Sequence, residues 1–156
     1  MRKLCILILS GLFLFSTANA FSETLSSSDI SAKTLLKILD SDYAKKASID
    51  EDGDIKIEDD GLKIYVEVDN ERDFIKFSSI WRKSDSISDS RLFKILNEWN
   101  RKTVFTTVFN YEERIYINYF ICTDGGINSD NFNGTLDWLF SIASSFNEYL
   151  EDEDAI

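Results

Sequence analysis

The chain has 156 residues, 17 Lys and Arg against 28 Asp and Glu, a net charge of −11 and no histidine. That length builds one domain with a substantial core, and 44% hydrophobic with 13% aromatic content is too apolar for a disordered chain. The acidic balance argues against nucleic-acid and anionic-membrane surfaces, and the missing histidine removes His-activated nucleophiles and His zinc sites.

Met1-Arg2-Lys3 is a positive start, Leu4 to Phe15 an apolar run, and Ala18-Asn19-Ala20 a small-x-small site. This pattern predicts an export signal over residues 1–20, cleaved between Ala20 and Phe21, with a periplasmic or secreted product. The apolar run falls short of the roughly 20 residues that cross a bilayer, so no stable membrane insertion is expected after cleavage. Cys5 lies too early to carry a lipid at that site. Cys122 is then a lone thiol in an oxidising compartment. Its place at the end of an apolar run reads as a buried, inert cysteine, with an intermolecular disulfide as the alternative.

Residues 21–29 are a polar lead-in, 30–150 a single domain, and 151–156 an acidic, solvated tail. The domain opens with a helix from Ile30 to Leu39, with Ala32, Leu35, Leu36 and Leu39 on one face and Ser28 or Asp29 as its cap. Ala44 to Ile49 and Asp54 to Glu58 are short strands around the turn Asp52-Gly53. After Asp60-Gly61, Leu62, Ile64, Val66 and Val68 alternate with polar partners as a half-buried strand. Another strand runs from Phe74 to Arg82. A helix capped by Ser88 or Asp89 carries Leu92, Phe93, Ile95, Leu96 and Trp99. Thr103 to Asn110 and Arg114 to Cys122 form a hairpin about Tyr111-Glu112-Glu113. Gly125-Gly126 is a turn. A last helix, about Asp130 to Leu150, spaces Phe132, Leu136, Leu139, Ala143, Phe146 and Leu150 for core packing. The sequon Asn133-Gly134-Thr135 reads as a chance match at that helix start.

The order is α-β-β-β-β-α-β-β-α. Tight hairpins force antiparallel pairing, so the fold class is α+β, an antiparallel sheet with helices packed on one face.

Three segments carry a resemblance: Ile49-Asp50-Glu51-Asp52-Gly53-Asp54-Ile55, Leu96-Asn97-Glu98-Trp99-Asn100-Arg101, and Gly125-Gly126-Ile127 with Asn131-Phe132. With them the layout resembles the YbjN family over roughly residues 30 to 150. The resemblance implies a type III secretion chaperone-like fold and a chaperone-like or regulatory role. It implies no agreed enzymatic activity and brings no catalytic set.

Asp50, Asp52 and Asp54 around Gly53 offer hard oxygen ligands, so calcium binding or a carboxylate-based activity at this hairpin is the alternative reading. The EF-hand pattern fails, because Gly53 is fourth from Asp50 and Gly61 stands where a Glu is needed. Glu98, beside Trp99, is the best-placed carboxylate for acid/base work, yet it reads more simply as an exposed helical position. No nucleophile elbow, Ser-x-x-Lys or phosphate loop occurs, so neither an enzyme nor a cofactor is expected.

Aromatic residues on strands point to interaction instead. Tyr65, Phe77, Trp81, Tyr116 and Phe120, with Val104 and Val108, are assigned to one sheet face. Val66, Phe105, Phe109, Ile117 and Tyr119 are assigned to the other. Helices cover one face, so the first set, with Trp138, Ile142 and Tyr149 on the last helix, is the candidate partner surface. The expectation is a non-enzymatic exported domain that binds a polypeptide partner or associates with itself. Plain core packing of both faces stands as the competing reading.

Overall fold

Two periodicities alternate along the chain, period two in its strands and period three to four in its helices. The computed structural model describes residues 22–156. The leader, its cleavage site and Cys5 lie outside the described residues. In chain order the elements are β1 (Thr24–Leu25), a 3-10 turn (Ser27–Asp29), α1 (Ala32–Ile38), α2 (Ser41–Ala44), β2 (Ala47–Ile49), β3 (Ile55–Asp59), β4 (Leu62–Asp69), β5 (Phe74–Arg82), α3 (Asp89–Lys102), β6 (Thr107–Tyr111), β7 (Arg114–Cys122), β8 (Ile127–Asn128) and α4 (Ser129–Asp152).

Strands β2 to β7 form one antiparallel sheet in the order β2-β3-β4-β5-β7-β6. The crossover that inserts β7 between β5 and β6 is made by α3. One row of strand residues, including Ile57, Ile64, Val66, Ile75, Phe77 and Ile117, merges with Leu35, Leu92, Ile95, Phe132 and Phe146 of the helices into a single core. The α+β class, with helices on one face of an antiparallel sheet, is as expected. On α4 the whole spaced stripe Phe132, Leu136, Leu139, Ala143, Phe146 and Leu150 is buried.

The differences lie at element ends, where side-chain hydrogen bonds decide. The first helix is capped by Ser31, later than expected. Its Oγ accepts the Thr34 N–H at 3.2 Å while Thr34 Oγ1 accepts the Ser31 N–H at 2.9 Å. Ser28 and Asp29 belong to the preceding 3-10 turn. What was expected as strand from Ala44 begins only at Ala47, because Ser41–Ala44 close one helical turn. Strand β6 starts at Thr107 instead of Thr103. Thr103 is spent ending α3, with its N–H and Oγ1 both donating to the Trp99 carbonyl at 3.0 Å. The Asn128 side chain caps α4 by accepting from the Asp130 N–H at 2.9 Å.

The lead-in is not merely polar. Strand β1 pairs with β8 and buries Leu25. Gly126 lies under it with φ +97, and a Cβ there would collide with the Leu25 carbonyl. Nor is the tail wholly solvated. The Ala155 N–H donates to the Leu150 carbonyl, the Ser84 N–H donates to the Ala155 carbonyl, and Ala155 is buried.

Candidate interaction surfaces

Strand parity sorts the expected partner residues. Phe77 is fully buried, 5.7 Å from the Phe132 ring, and so is not on the free face. Trp81 is 9% exposed, packs edge-on against Phe146 at 5.2 Å and donates Nε1–H to Asn147 Oδ1 at 2.9 Å. Val108 is also buried. The physical reason is the register. Phe77 and Trp81 pair with Tyr119 and Ile115, which share the helix-covered face, whereas Tyr116 and Phe120 occupy alternate positions. Tyr65, Tyr116 and Phe120 do lie on the opposite, uncovered face. Phe109, expected among the covered residues, is there too, stacked on Tyr116 at 5.1 Å.

That outer face is built of cross-strand rows. Glu67, Lys76 and Phe120 are one row, Tyr65, Ser78, Asn118 and Thr107 the next, and Ile80, Tyr116 and Phe109 a third. Arg82, Arg114 and Tyr111 close it. The Lys76 ammonium pairs with the Glu67 carboxylate. Asn118 Oδ1 is buried with no donor. The sequence analysis did not single out Ile80, Lys76, Arg114 or Asn118; two-residue spacing from Tyr116 and Phe120 marks Arg114 and Asn118, whereas Lys76 and Ile80 join the face only through the β5–β7 register.

Strand β6, at one edge of the sheet, is partly sealed. Asn100 Nδ2 donates to the Val108 carbonyl at 2.8 Å, and the Val108 N–H donates to Asn100 Oδ1 at 2.8 Å. This amide takes both backbone groups that a further strand would use at that position.

A second surface surrounds Trp138. Its ring is 53% exposed on α4, and Phe105, 62% exposed, lies over it with centroids 5.2 Å apart. Phe105 sits in the loop between α3 and β6 with φ +72, a left-handed conformation that a bulky residue rarely holds. Val104 beside it is exposed too. Half-buried Ile142 and Tyr119 and buried Leu139 line the cleft beneath, together with Thr106, whose Oγ1 is buried without a partner. Tyr149 is not part of this patch. It is half-buried, 5.3 Å from Trp99, with the Lys102 ammonium over its ring.

The acidic hairpin is organised by its own backbone. Asp50 Oδ1 accepts the N–H groups of Asp52 at 3.1 Å and Asp54 at 3.0 Å, an arrangement that shapes the turn. Burial raises the Asp54 carboxyl above the usual carboxylate range, reinforced by Glu67 and Asp50 nearby. Among the described residues, no group of three or more His, Cys, Asp or Glu side chains is placed to hold a metal ion. Glu98 is exposed and 3.8 Å from Lys102 one turn on. Cys122 is exposed at the end of β7, so the expectation of a buried thiol is corrected: its outward parity overrides the apolar run. Asn133 of the sequon is buried and fully engaged with protein groups.

Taken together, a one-sided antiparallel sheet with buried polar ties and exposed aromatic surfaces defines a mixed α+β domain of the helix-on-sheet kind. The family model YbjN, described as "Putative bacterial sensory transduction regulator", matches residues 31–152, and the chain belongs to this family. Among solved structures, it is similar to YbjN from E. coli, described as "a putative transcription regulator". That likeness has a TM-score of 0.64 at 15% identity and covers 79% of this chain and 93% of that one. Comparison with curated proteins gave no match. The matched span opens at the Ser31 cap of α1 and closes at the last residue of α4.

Proposed function

We propose that this domain is a non-enzymatic, exported regulatory protein that binds a polypeptide partner through the α4 surface around Trp138. One observation carries the reading: Phe105, strained at positive φ, lies tilted against exposed Trp138 above a buried Thr106 hydroxyl that has no partner. Strain of this kind costs on the order of 1–3 kcal/mol and concentrates at sites of ligand contact. An apolar side chain from a partner displaces Phe105, takes its place on Trp138 and relieves that strain. A neighbouring partner amide or hydroxyl satisfies Thr106.

The regulatory description attached to the family supports action through contacts with another protein. Export rests on the leader pattern of residues 1–20. Two measurements test the reading. The mass of protein recovered from an envelope or medium fraction is expected to correspond to a chain starting at Phe21; full-length protein in the cytoplasmic fraction overturns export. Affinity capture with wild-type and Trp138→Ala baits, both folded at the assay temperature by their melting curves, tests the surface. A partner held by wild type and lost by the variant supports it, and identical capture by both baits rejects it.

A further inference from the structure

We propose that the uncovered sheet face, distinct from the Trp138 surface, is a contact between two copies of this chain related by a two-fold axis lying across the strands. The face is electrically two-ended. A depression of about 490 Å³ runs along the face to Tyr111 and Arg114, and its far end is bordered by Asp50, Asp52, Asp54 and Glu67, opposed by Lys76. At the other end of the face, a depression of about 480 Å³ is bordered by Lys63, Arg82 and Arg114, opposed by Glu113. Arg114 reaches the edge of both.

Three further observations give this pattern direction. In a chain of net charge −11, three cations, Lys63, Arg82 and Arg114, gather at one end of a single face and outnumber the two carboxylates beside them, Glu113 and, across from Lys63, Glu58. Among the described residues, Lys63 and Arg114 make no ion pair, and Arg82 reaches only the exposed Asp85 at 3.5 Å. Between the two ends, Tyr65, Ile80 and Tyr116 provide the apolar centre. Turning a second copy by 180° about an axis across the strands brings its cationic end over the acidic end of the first, and the reverse. Tyr65 and Tyr116 of both copies then meet in the middle.

Such an interface is isologous and closes at two copies. It has an aromatic centre and a charged rim, the usual arrangement of interface energy. The central strands present roughly 500 Å² in projection from ordinary strand spacing and rise. That is about 1,000 Å² over both copies, below the usual range of stable interfaces, so a weak, concentration-dependent dimer is expected.

Sedimentation equilibrium on the purified protein, from micromolar to millimolar concentration, tests this directly. The expected result is a monomer–dimer equilibrium weakened by salt. Tyr116→Asp should leave monomer at every concentration. Asp54→Lys and Lys63→Glu should each weaken the dimer about tenfold or more by setting like charges together, and the double variant should recover most of the loss. Melting curves separate a misfolded variant from a dissociated one, and Lys63→Glu changes an exposed strand position that tolerates charge. A wild type that stays monomeric, a dimer indifferent to Tyr116→Asp, or a double variant weaker than either single one overturns the inference. Loss of a different protein from Tyr116→Asp, with the wild type monomeric, would assign the face to that protein and also overturn it. Neither outcome bears on capture through Trp138.

Discussion

Asn133, one turn into α4, holds the end of α1 through its side-chain amide. Its Nδ2–H donates to the Ile38 carbonyl at 2.8 Å and to the Ser129 carbonyl at 2.9 Å, while its Oδ1 accepts the Asp40 N–H at 3.0 Å. Helix carbonyls at a C-terminus lack partners of their own helix, and here a side chain 95 residues away supplies one.

Asn133→Ala should therefore destabilise the domain by about 2–3 kcal/mol, since buried backbone groups lose their partners. Asn133→Asp should be comparably harmful, because a carboxylate cannot donate to Ile38. Urea unfolding measures both. Wild-type stability in either variant would mean that the clamp contributes nothing.

Phe77 and Trp138 should respond oppositely to truncation. Phe77→Ala opens a cavity in the core and is expected to cost about 3–5 kcal/mol. Trp138→Ala removes a half-exposed ring and should cost about 1 kcal/mol or less. Thermal melts of the two variants distinguish core from surface.

Asn100→Ala should free the Val108 backbone. We expect a loss of about 1–3 kcal/mol together with faster hydrogen exchange at the Val108 amide. Protection unchanged at that amide would show that β6 holds its edge without the clamp.

Tyr43 donates to Asp137 Oδ1 at 2.6 Å, and burial, with Asp137 beside it, raises its pKa well above the ordinary tyrosine value. The unfolded chain gives up this proton near pH 10 while the folded chain keeps it. The contribution is thus complete below about pH 10 and lost as pH rises beyond it. Tyr43→Phe should remove that slope from an alkaline stability profile.

Asp54 has the same sign in the acid range. Its folded pKa is raised by burial and by Glu67, so its stabilising effect is complete below about pH 4 and is lost as the carboxyl ionises. Asp54→Asn should raise the melting temperature at neutral pH and lose that advantage in acid. A lower neutral melting temperature would show that the charge is instead required.

Much of the fold was legible because burial follows period. The stripe from Phe132 to Leu150, the alternation of Leu62 to Val68 and the hairpin closing at Glu112 needed only neighbours in sequence. The ends of α1 and β6 were misplaced because Ser31, Thr34 and Thr103 each had competing local choices. Asp52-Gly53 was readable as a turn, yet nothing nearby announced that Asp50 would supply the acceptor for two of its amides.

The sequence by itself determined which residues alternate, where helices replace strands, and that carboxylates and aromatics are the available chemistry. It could not decide which aromatics face outward, because Phe77 and Tyr116 lie on different strands and only their pairing register relates their two alternations. Tertiary structure also decided the exposure of Cys122, the seating of Phe105 on Trp138 and the gathering of Lys63, Arg82 and Arg114. Each depends on side chains far apart in the chain, and only packing of the sheet against its helices brings them together or turns them to water.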